Sequence, residues 1–260
     1  MIHKTSIIDI KAKISSTVKI GPYCVIGPNV EIQDNTILYS HVNISGNTVI
    51  GKNNKIFSFA SIGSEPQDLK YNGEQTKLKI GNKNIIREYV TINPGTVAGA
   101  GQTIIGHECL LMISSHVAHD CIVGNNVIIA NNVPVAGHVT IGDGVIIGGN
   151  SAVQQFTRIG KMAMIGGMTG VLNDVIPYGL STGNRNVLQG INLIGLRRKN
   201  IPNKEILSLS EAYKEIFKSE KLTDNLNNLN KSFKENSLIN EVIKFINEDK
   251  KRPISTPFIK

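Results

Sequence analysis

The chain has 260 residues, with 28 lysines and arginines against 20 aspartates and glutamates, and a formal net charge of +8. A hydrophobic content of 40% excludes global disorder, and the N-terminal segment lacks the apolar run of a signal peptide. No stretch is apolar enough to cross a bilayer, so we expect no membrane span. The three cysteines form neither a CxxC pair nor a zinc pattern, which favours a reducing, cytoplasmic compartment.

An aliphatic residue recurs at every sixth position through most of the chain. The series runs from Ile2 to Ile62, from Ile80 to Ile92 and, after a shift of one residue, from Ile105 to Val171. A period of six fits neither an α-helix nor a simple alternating strand, and it is typical of parallel β-helix solenoids. Three hexapeptides would form one triangular coil around a thin core of Ile and Val. Such a core explains why aromatic residues are only 5% of the chain and Trp is absent.

Two segments interrupt this series. Residues 63–79 replace almost a whole coil without changing the phase, and residues 93–104 shift the phase by one. Both are predicted to be loops that leave a corner of the coil. Long loops on a rigid scaffold are usually functional, although a tolerated surface insertion is the alternative.

The hexapeptides stop near residue 176, where Pro177 begins a connector, and a helical pattern follows. We therefore divide the chain into a hexapeptide-repeat domain over 1–190 and an α-helical domain over 191–260. The predicted helices are one short helix containing Leu193 to Arg198, one from an Asn203 cap through Phe217, and two over 223–234 and 236–249. Residues 191–260 hold 14 basic and nine acidic residues, so most of the net charge lies there.

Three of the six histidines, His116, His119 and His138, fall in the later repeats. Asp120 directly follows His119, and His138 lies about one coil further on, so His119 and His138 should share an edge. A histidine beside a carboxylate suits general-base catalysis, because the imidazole accepts a proton near neutral pH. A zinc site like that of γ-type carbonic anhydrases is the alternative, but we expect no metal, since zinc needs three or four ligands in fixed geometry. For His3, His41 and His107 we predict ordinary surface roles.

Several motifs carry a family resemblance together with the repeat. They are QDLKY (67–71), IREYVTI (86–92), LLMISSHVAHDC (110–121), AGHV (136–139), IIGG (146–149) and GINLIGLRRKN (190–200). The chain resembles the bacterial UDP-N-acetylglucosamine acyltransferases over essentially its whole length. The resemblance implies a mainly β fold, a left-handed parallel β-helix followed by a C-terminal α-helical domain. It also implies a homotrimer with active sites between neighbouring subunits.

The resemblance further implies a reaction. An (R)-3-hydroxyacyl group would pass from acyl carrier protein to the glucosamine 3-hydroxyl of UDP-N-acetylglucosamine, the first step of lipid A biosynthesis. His119 would be the general base, Asp120 would orient it, and the backbone N–H of Gly137 would stabilise the oxyanion. The hydroxyl would attack the thioester directly. We therefore expect no cofactor other than the phosphopantetheine that carries the acyl donor.

Other residues match the family's substrate contacts. Those near the sugar, acyl chain or nucleotide are Gln67, Asp68, Lys70, His116, His138, Gln155, Asn192 and Arg198. Gly167 matches the position that limits acyl length, and a glycine there favours a longer chain. The sequence departs from the family pattern at nucleotide-contact positions Gln154, Arg185 and Ile194. Some members acylate an amino sugar instead, so the acceptor stays open between a 3-hydroxyl and a 3-amino group.

Three alternatives compete with this interpretation. A related N-acyltransferase carries a globular domain before its β-helix, whereas the register here begins at Ile2. A pI of 9.3 could indicate a nucleic-acid binder. We expect no nucleic-acid partner, because the basic segments lack interleaved aromatic residues and an acidic carrier protein accounts for a basic face. A non-catalytic solenoid would explain the repeat but not the HVAHD segment.

Overall fold

The computed structural model describes residues 1–248 and 250–258. Strands β1 to β9 are Ile7–Ile8, Lys13–Ile14, Lys19–Ile20, Val25–Ile26, Val30–Ile32, Ile37–Leu38, Asn43–Ile44, Asn47–Ile50 and Lys55–Ile56. Strands β10 to β18 are Ser61–Ile62, Lys77–Ile80, Ile85–Ile86, Thr91–Ile92, Gln102–Ile105, Leu110–Leu111, His116–Val117, Ile122–Val123 and Ile128–Ile129. Strands β19 to β27 are Pro134–Val135, Thr140–Ile141, Ile146–Ile147, Ala152–Val153, Arg158–Ile159, Met164–Ile165, Gly170–Val171, Gly179–Thr182 and Val187–Ile191. Helices α1 to α4 are Leu193–Arg198, Asn203–Ile216, Leu222–Asn227 and Ser237–Asn247, with a 3₁₀ helix at Lys231–Glu235.

The strands form three ladders that make the faces of a triangular prism. The chain passes from sheet 1 (β1, β4, β7 and onward) to sheet 2 (β2, β5, β8) and sheet 3 (β3, β6, β9), and then returns to sheet 1. Pairs such as Ile129 and Ile147 stack in parallel register one coil apart, which confirms the predicted solenoid of three hexapeptides per coil. The corner between sheets 1 and 2 is named edge A, and the corner between sheets 3 and 1 is named edge B.

The six-residue series forms the core. Every register position from Ile20 to Val171 is buried, whereas Ile2 is half exposed because no coil covers the N-terminal end. Burying each Ile or Val side chain contributes roughly 1.5–3 kcal/mol, so the series is the main source of stability. Tyr178, fully buried after the last coil, donates a hydrogen bond to the Glu241 carboxylate of α4.

Both interruptions leave the prism at edge A. The first loop covers residues 63–76, between β10 and β11, and the second covers 93–101, between β13 and β14. Each is three residues shorter than its predicted segment, because β11 and β14 pair with each other along their whole length. The Asn93 amide joins the two loops by donating to the carbonyl oxygens of Ser64 and Glu65 at 3.0 and 3.1 Å.

The C-terminal part differs from the prediction in three places. The connector after Pro177 contains an antiparallel pair, β26 with β27, which the hexapeptide pattern could not predict. Pro202, not Asn203, precedes α2, and no side chain caps this helix. The helix predicted over 223–234 is present only in its first half, as α3. A 3₁₀ helix capped by Asn230 replaces the second half, because asparagines favour caps and turns over helix interiors. The last helix is present, although residue 249 lies outside the described residues.

The chain returns to the prism after α4. The N–H of Asp174 donates to the carbonyl of Pro253 at 2.8 Å, and the N–H of Ser255 donates to the carbonyl of Asp174 at 2.7 Å. The buried Asp174 carboxylate accepts from Nε of Arg158 at 2.7 Å. These contacts fix the segment 250–256 beside the last coil. The division at residue 190 stays a prediction.

Among the described helices, none combines the length and apolar character that crossing a bilayer requires.

Candidate active site

His119 and Asp120 form a hydrogen-bonded pair in the edge A turn between β16 and β17. Asp120 has a φ of 60°, a left-handed conformation that aspartate tolerates better than most residues. Nδ1 of His119 lies 2.8 Å from Oδ2 of Asp120. Because an ionised carboxylate can only accept, Nδ1 carries the proton and Nε2 presents a lone pair. No residue in the described part of the chain hydrogen-bonds to Nε2, so this nitrogen is free to take a proton from a ligand.

The Asp120 carboxylate is kept ionised although its side chain is fully buried. Burial alone would raise its pKa. Hydrogen bonds from the Thr96 hydroxyl, the His119 ring and the Thr96 backbone N–H, together with the nearby His138, hold the pKa of Asp120 below its usual range. A charged acceptor at this position fixes the tautomer of His119 and stabilises the imidazolium that forms when Nε2 takes a proton.

A column of rings continues from His119 along edge A. The His138 ring meets the His119 ring edge-on with centroids 5.0 Å apart, and it stacks on Phe156 at 4.5 Å. Nζ of Lys251, from the C-terminal segment, lies 4.6 Å from the centre of the Phe156 ring. Burial first, and then the charges of His119 and Lys251, lower the pKa of His138, although Asp120 acts in the opposite direction. The structure thus brings His119 and His138 to one edge, as their spacing predicts.

Gly137 packs against the free side of the His119 ring. A Cβ at this position would come within 2.6 Å of Cε1 and 2.7 Å of Nε2 of His119, so only a glycine lets the backbone approach so closely. Within the described residues the Gly137 N–H meets no acceptor. A free N–H beside a free basic nitrogen can stabilise an oxyanion that forms next to the base.

The same cluster meets the distance requirement for a bound cation. His119, Asp120 and His138 each offer one ligand atom, and these atoms lie within 4.8 Å of one another. Both oxygens of Asp120, however, already accept hydrogen bonds from Thr96, and Oδ1 also accepts from the Gly101 N–H at 3.1 Å. A metal would have to displace these donors. The arrangement therefore suits acid–base chemistry better than metal coordination.

Comparison with known proteins assigns the family. The chain matches the profile described as UDP N-acetylglucosamine O-acyltransferase, domain 2, over 174–255, and bacterial transferase hexapeptide repeats over 11–46 and 102–133. It is 54% identical to the acyl-[acyl-carrier-protein]–UDP-N-acetylglucosamine O-acyltransferase of Rickettsia canadensis. That alignment spans 252 residues and covers 96% of each chain. Identity to the protein of that name from Thermodesulfovibrio yellowstonii is 47% over 251 residues, or 96% of this chain and 97% of the relative. The chain belongs to the UDP-N-acetylglucosamine O-acyltransferase family.

A solved structure of the family gives the same fold. The crystal structure of UDP-N-acetylglucosamine O-acyltransferase from Moraxella catarrhalis matches with a TM-score of 0.94 at 48% identity, over 97% of this chain and 98% of the other. This agreement, with the parallel ladders, confirms the left-handed parallel β-helix and C-terminal helical part that the sequence resemblance implied.

Two residues that match UDP-N-acetylglucosamine O-acyltransferase substrate contacts lie on or next to edge A. Nδ1 of His116, on β16, is 2.7 Å from the Thr91 hydroxyl. Burial, with a smaller contribution from His119, lowers the pKa of His116. The carbonyl of Gln155 accepts a hydrogen bond from Nε of Arg252 at 3.0 Å, while its side chain is exposed.

Three more family-matching residues lie in the first loop. Asp68 accepts from the backbone N–H of Lys70 at 3.0 Å, and the charge of Asp68 tends to raise the pKa of His138. The first loop therefore lies close enough to act on the ring column. Gln67 and Lys70 are exposed in the same loop, so their side chains are accessible to a ligand.

Other family-matching residues lie away from this pair. Gly167 lies at edge B, between β24 and β25. Asn192 caps α1, where it accepts from the Gly195 N–H and donates to the Met162 carbonyl, and Arg198 is exposed at the end of that helix. The positions that depart from the family pattern are exposed or half-buried; they are Gln154, Arg185 and Ile194. In the described chain, no hydrogen bond, ion pair or ring contact joins any of these residues to His119.

The remaining histidines make local contacts. His3 Nδ1 lies 2.9 Å from the Thr5 hydroxyl, the His41 ring lies between Tyr23 and Phe59, and His107 Nδ1 accepts from the Asn82 N–H at 2.9 Å.

Three residues at the site were missed by sequence reasoning. Phe156 lies one coil after His138, so the repeat could have indicated it. Thr96 and Lys251 carry no such signal, because a loop and a C-terminal segment have no fixed relation to the six-residue register.

Proposed function

We propose that this chain transfers an (R)-3-hydroxyacyl group from acyl carrier protein to the glucosamine 3-hydroxyl of UDP-N-acetylglucosamine, the first step of lipid A biosynthesis. Its family membership supports the substrates, since the curated relatives are named for this donor and this acceptor. The observation that carries the chemistry is the free Nε2 of His119, whose ring is held by an ionised Asp120 at 2.8 Å. This pair supplies the base that acyl transfer to a hydroxyl requires.

In the proposed reaction, Nε2 of His119 accepts the proton of the sugar hydroxyl as its oxygen attacks the thioester carbonyl carbon. The Gly137 N–H donates to the carbonyl oxygen as negative charge develops, and one such donor contributes about 3 kcal/mol in comparable enzymes. The C–S bond then breaks, and the phosphopantetheine thiolate takes the proton from His119. Atoms and charge balance with no covalent acyl-enzyme, metal ion or further cofactor.

The binding roles are proposed from the family pattern and from position. Residues proposed to bind the sugar and acyl chain around the pair are Gln67, Asp68, Lys70, His116, His138 and Gln155. Asn192 and Arg198 are proposed to bind the nucleotide, where a guanidinium suits a diphosphate. Gly167 is proposed to leave room for a long acyl chain, because a glycine places no side chain at this position of edge B.

We propose a homotrimer because the site is incomplete in one chain. Gly167, Asn192 and Arg198 lie away from His119, and a neighbouring copy could bring them to edge A. Native mass spectrometry should then give about three times the chain mass of 28.2 kDa. A monomer that is fully active would contradict this assembly.

The charge of the C-terminal part supports the proposed acyl carrier protein partner, and the free thiols support the proposed cytoplasmic compartment. Residues 191–260 hold 14 basic and nine acidic residues, which suits an acidic carrier protein. The described cysteines, Cys24, Cys109 and Cys121, are free and buried, which suits a reducing cytoplasm.

One assay tests the proposal. Purified protein is incubated with UDP-N-acetylglucosamine and (R)-3-hydroxyacyl carrier proteins of several chain lengths, and the sugar nucleotide is analysed by mass. The expected product carries one ester-linked acyl group, with longer donors preferred. A parallel reaction supplies a UDP-sugar with a 3-amino group. Faster amide formation in that reaction would show that the acceptor is the 3-amino group. The absence of transfer to either acceptor would refute the proposed function.

A further inference from the structure

We propose that Thr96 is a positioning residue of the acyl-transfer reaction, whose hydroxyl and backbone N–H hold the Asp120 carboxylate in the orientation that aligns His119. This inference rests on the proposed function, because it concerns how the base of that reaction is oriented. Thr96 itself does not touch the reacting atoms and acts only through Asp120.

The contacts involve both oxygens of the carboxylate. The Thr96 hydroxyl donates to Oδ2 of Asp120 at 2.7 Å, and the Thr96 N–H lies 3.1 Å from both Oδ1 and Oδ2. The Gly101 N–H, at the end of the same loop, donates to Oδ1 at 3.1 Å. Thr96 is 3% exposed, so water does not compete for these bonds. The second loop therefore encloses the carboxylate with donors on both sides.

The hydroxyl does more than anchor the loop. Oδ2 accepts from both the Thr96 hydroxyl, at 2.7 Å, and Nδ1 of His119, at 2.8 Å. Two short bonds to one oxygen fix the carboxylate plane, and hence the plane of the imidazole that it orients. Gly99 closes the third side, since a Cβ there would lie 2.3 Å from the carboxylate. Backbone donors alone would attach the loop to Asp120, but the Thr96 N–H is divided between the two oxygens at 3.1 Å, whereas the hydroxyl makes the shorter bond, at 2.7 Å, to the oxygen that binds His119.

The same bonds act on protonation. Burial favours the neutral carboxyl group, and the Thr96 bonds are the largest opposing contribution that holds the pKa of Asp120 low. Other titratable groups around the pair are His116, His138 and Cys121 on the prism, Asp68 on the first loop and Lys251 on the C-terminal segment. Cys121 stays neutral because burial raises its pKa to about 12. Removing the hydroxyl destabilises the ionised carboxylate, so the coupled pair takes up a proton at higher pH.

The test compares Thr96→Val, Thr96→Ser and a matched control, Thr103→Val. Thr103 lies in β14, just after the loop, is equally buried, and its hydroxyl has no partner among the described residues. Thr96→Val should lower kcat/KM about 10-fold, mainly through kcat, since a hydrogen bond to a charged group is lost. The acid limb of the pH profile of kcat/KM should move to higher pH by about half a unit in this variant. Thr96→Ser and Thr103→Val should both stay near wild type.

A double-mutant cycle separates positioning from loop folding. In an Asp120→Asn background the Thr96→Val loss should largely disappear, because Thr96 acts through that carboxylate. Thr96→Val with wild-type kcat/KM and an unshifted acid limb, or a loss equal to that of Thr103→Val, would overturn the inference. If Thr96→Val does not fold, Thr96→Ala removes the hydroxyl without placing a methyl group against the carboxylate, and the same expectations apply. If the wild-type protein transfers no acyl group at all, the proposed function fails rather than the role of Thr96.

Discussion

Two edges of the prism carry columns of stacked rings, but their geometry differs. At edge B, Tyr23, His41, Phe59 and Tyr89 follow one another with centroids 5.0, 4.9 and 5.1 Å apart and planes within about 31° of parallel. At edge A, His138 and Phe156 stack in the same way, but the His119 ring stands at 89° to its neighbour. Both columns follow from the spacing of successive coils, which places equivalent corner residues about 4.8 Å apart.

The difference lies in what surrounds each histidine. His41 is flanked by aromatic rings and, among the described residues, pairs with no acid, whereas His119 is turned out of the stack by a buried Asp120 that the second loop encloses. Stacking is therefore a property of the scaffold. We expect the chemistry at edge A, where a carboxylate, two loops and the C-terminal segment meet at one corner. Matched variants at the two edges test whether that separation holds.

The largest effect is expected for His119→Ala. Removing the base should lower kcat on the order of 10³-fold with little change in melting temperature. The matched change at edge B, His41→Ala, should leave kcat unchanged and cost about 1 kcal/mol of stability through lost ring stacking. Steady-state kinetics and thermal unfolding of both variants measure this. Near wild-type rates for His119→Ala would remove the general base from the mechanism.

Asp120→Asn should come next, with kcat lower on the order of 100-fold. An amide has a single acceptor oxygen and directs its NH₂ group at donors of Thr96, Gly101 or His119, so the tautomer of His119 is no longer fixed. Asp143→Asn, at a turn between sheets 2 and 3, keeps its hydrogen bond to the Asn125 N–H and should behave as wild type. Equal rates for the two variants would mean that Asp120 serves the loop and not the base.

Ionisation of Asp120 should also make the stability of the fold depend on pH. Its pKa is held below the usual range, so the carboxylate stabilises the fold fully above about pH 4, and that contribution is lost as the pH falls further. The difference in melting temperature between the wild type and Asp120→Asn should therefore shrink below about pH 4. A difference that stays constant down to pH 2 would show that ionisation of Asp120 does not contribute.

The comparison also shows what the sequence could predict. A six-residue period places each residue in a coil, so the buried series to Val171 and the shared edge of His119 and His138 follow from counting. Periodicity says nothing about a segment that leaves the register. The hydrogen bond from Thr96 to Asp120 depends on how the second loop folds back, and Lys251 reaches Phe156 because Asp174 and Gln155 bind the C-terminal segment. The β26–β27 pair was missed for the same reason.

A smaller loss is expected for Gly137→Ala. The added methyl group would lie 2.6 Å from His119 Cε1 and must displace the imidazole, while the backbone N–H remains. A displacement of this kind should lower kcat/KM about 10- to 50-fold. The edge B control is Gly149→Ala, whose Cβ would meet its nearest neighbour, the Asn131 carbonyl oxygen, at 3.5 Å, an ordinary contact. Kinetics that do not distinguish the two variants would show that the approach of Gly137 to the ring is unimportant.

The smallest effect is expected for Lys251→Met, which keeps the apolar stem over Phe156 and removes the charge. The charge of Lys251 contributes to the lowered pKa of His138, so its removal lets that pKa rise. A protonated His138 next to His119 opposes uptake of a proton by the base. Activity should therefore fall about threefold near pH 6 and be unchanged at pH 8, when His138 is neutral in both proteins. Lys250→Met is the control, because Nζ of Lys250 instead donates to the Ile246 carbonyl at 2.9 Å. If both variants have the same pH profile, the C-terminal segment supports edge A through packing alone, and the two ring columns differ only by Asp120 and the loops.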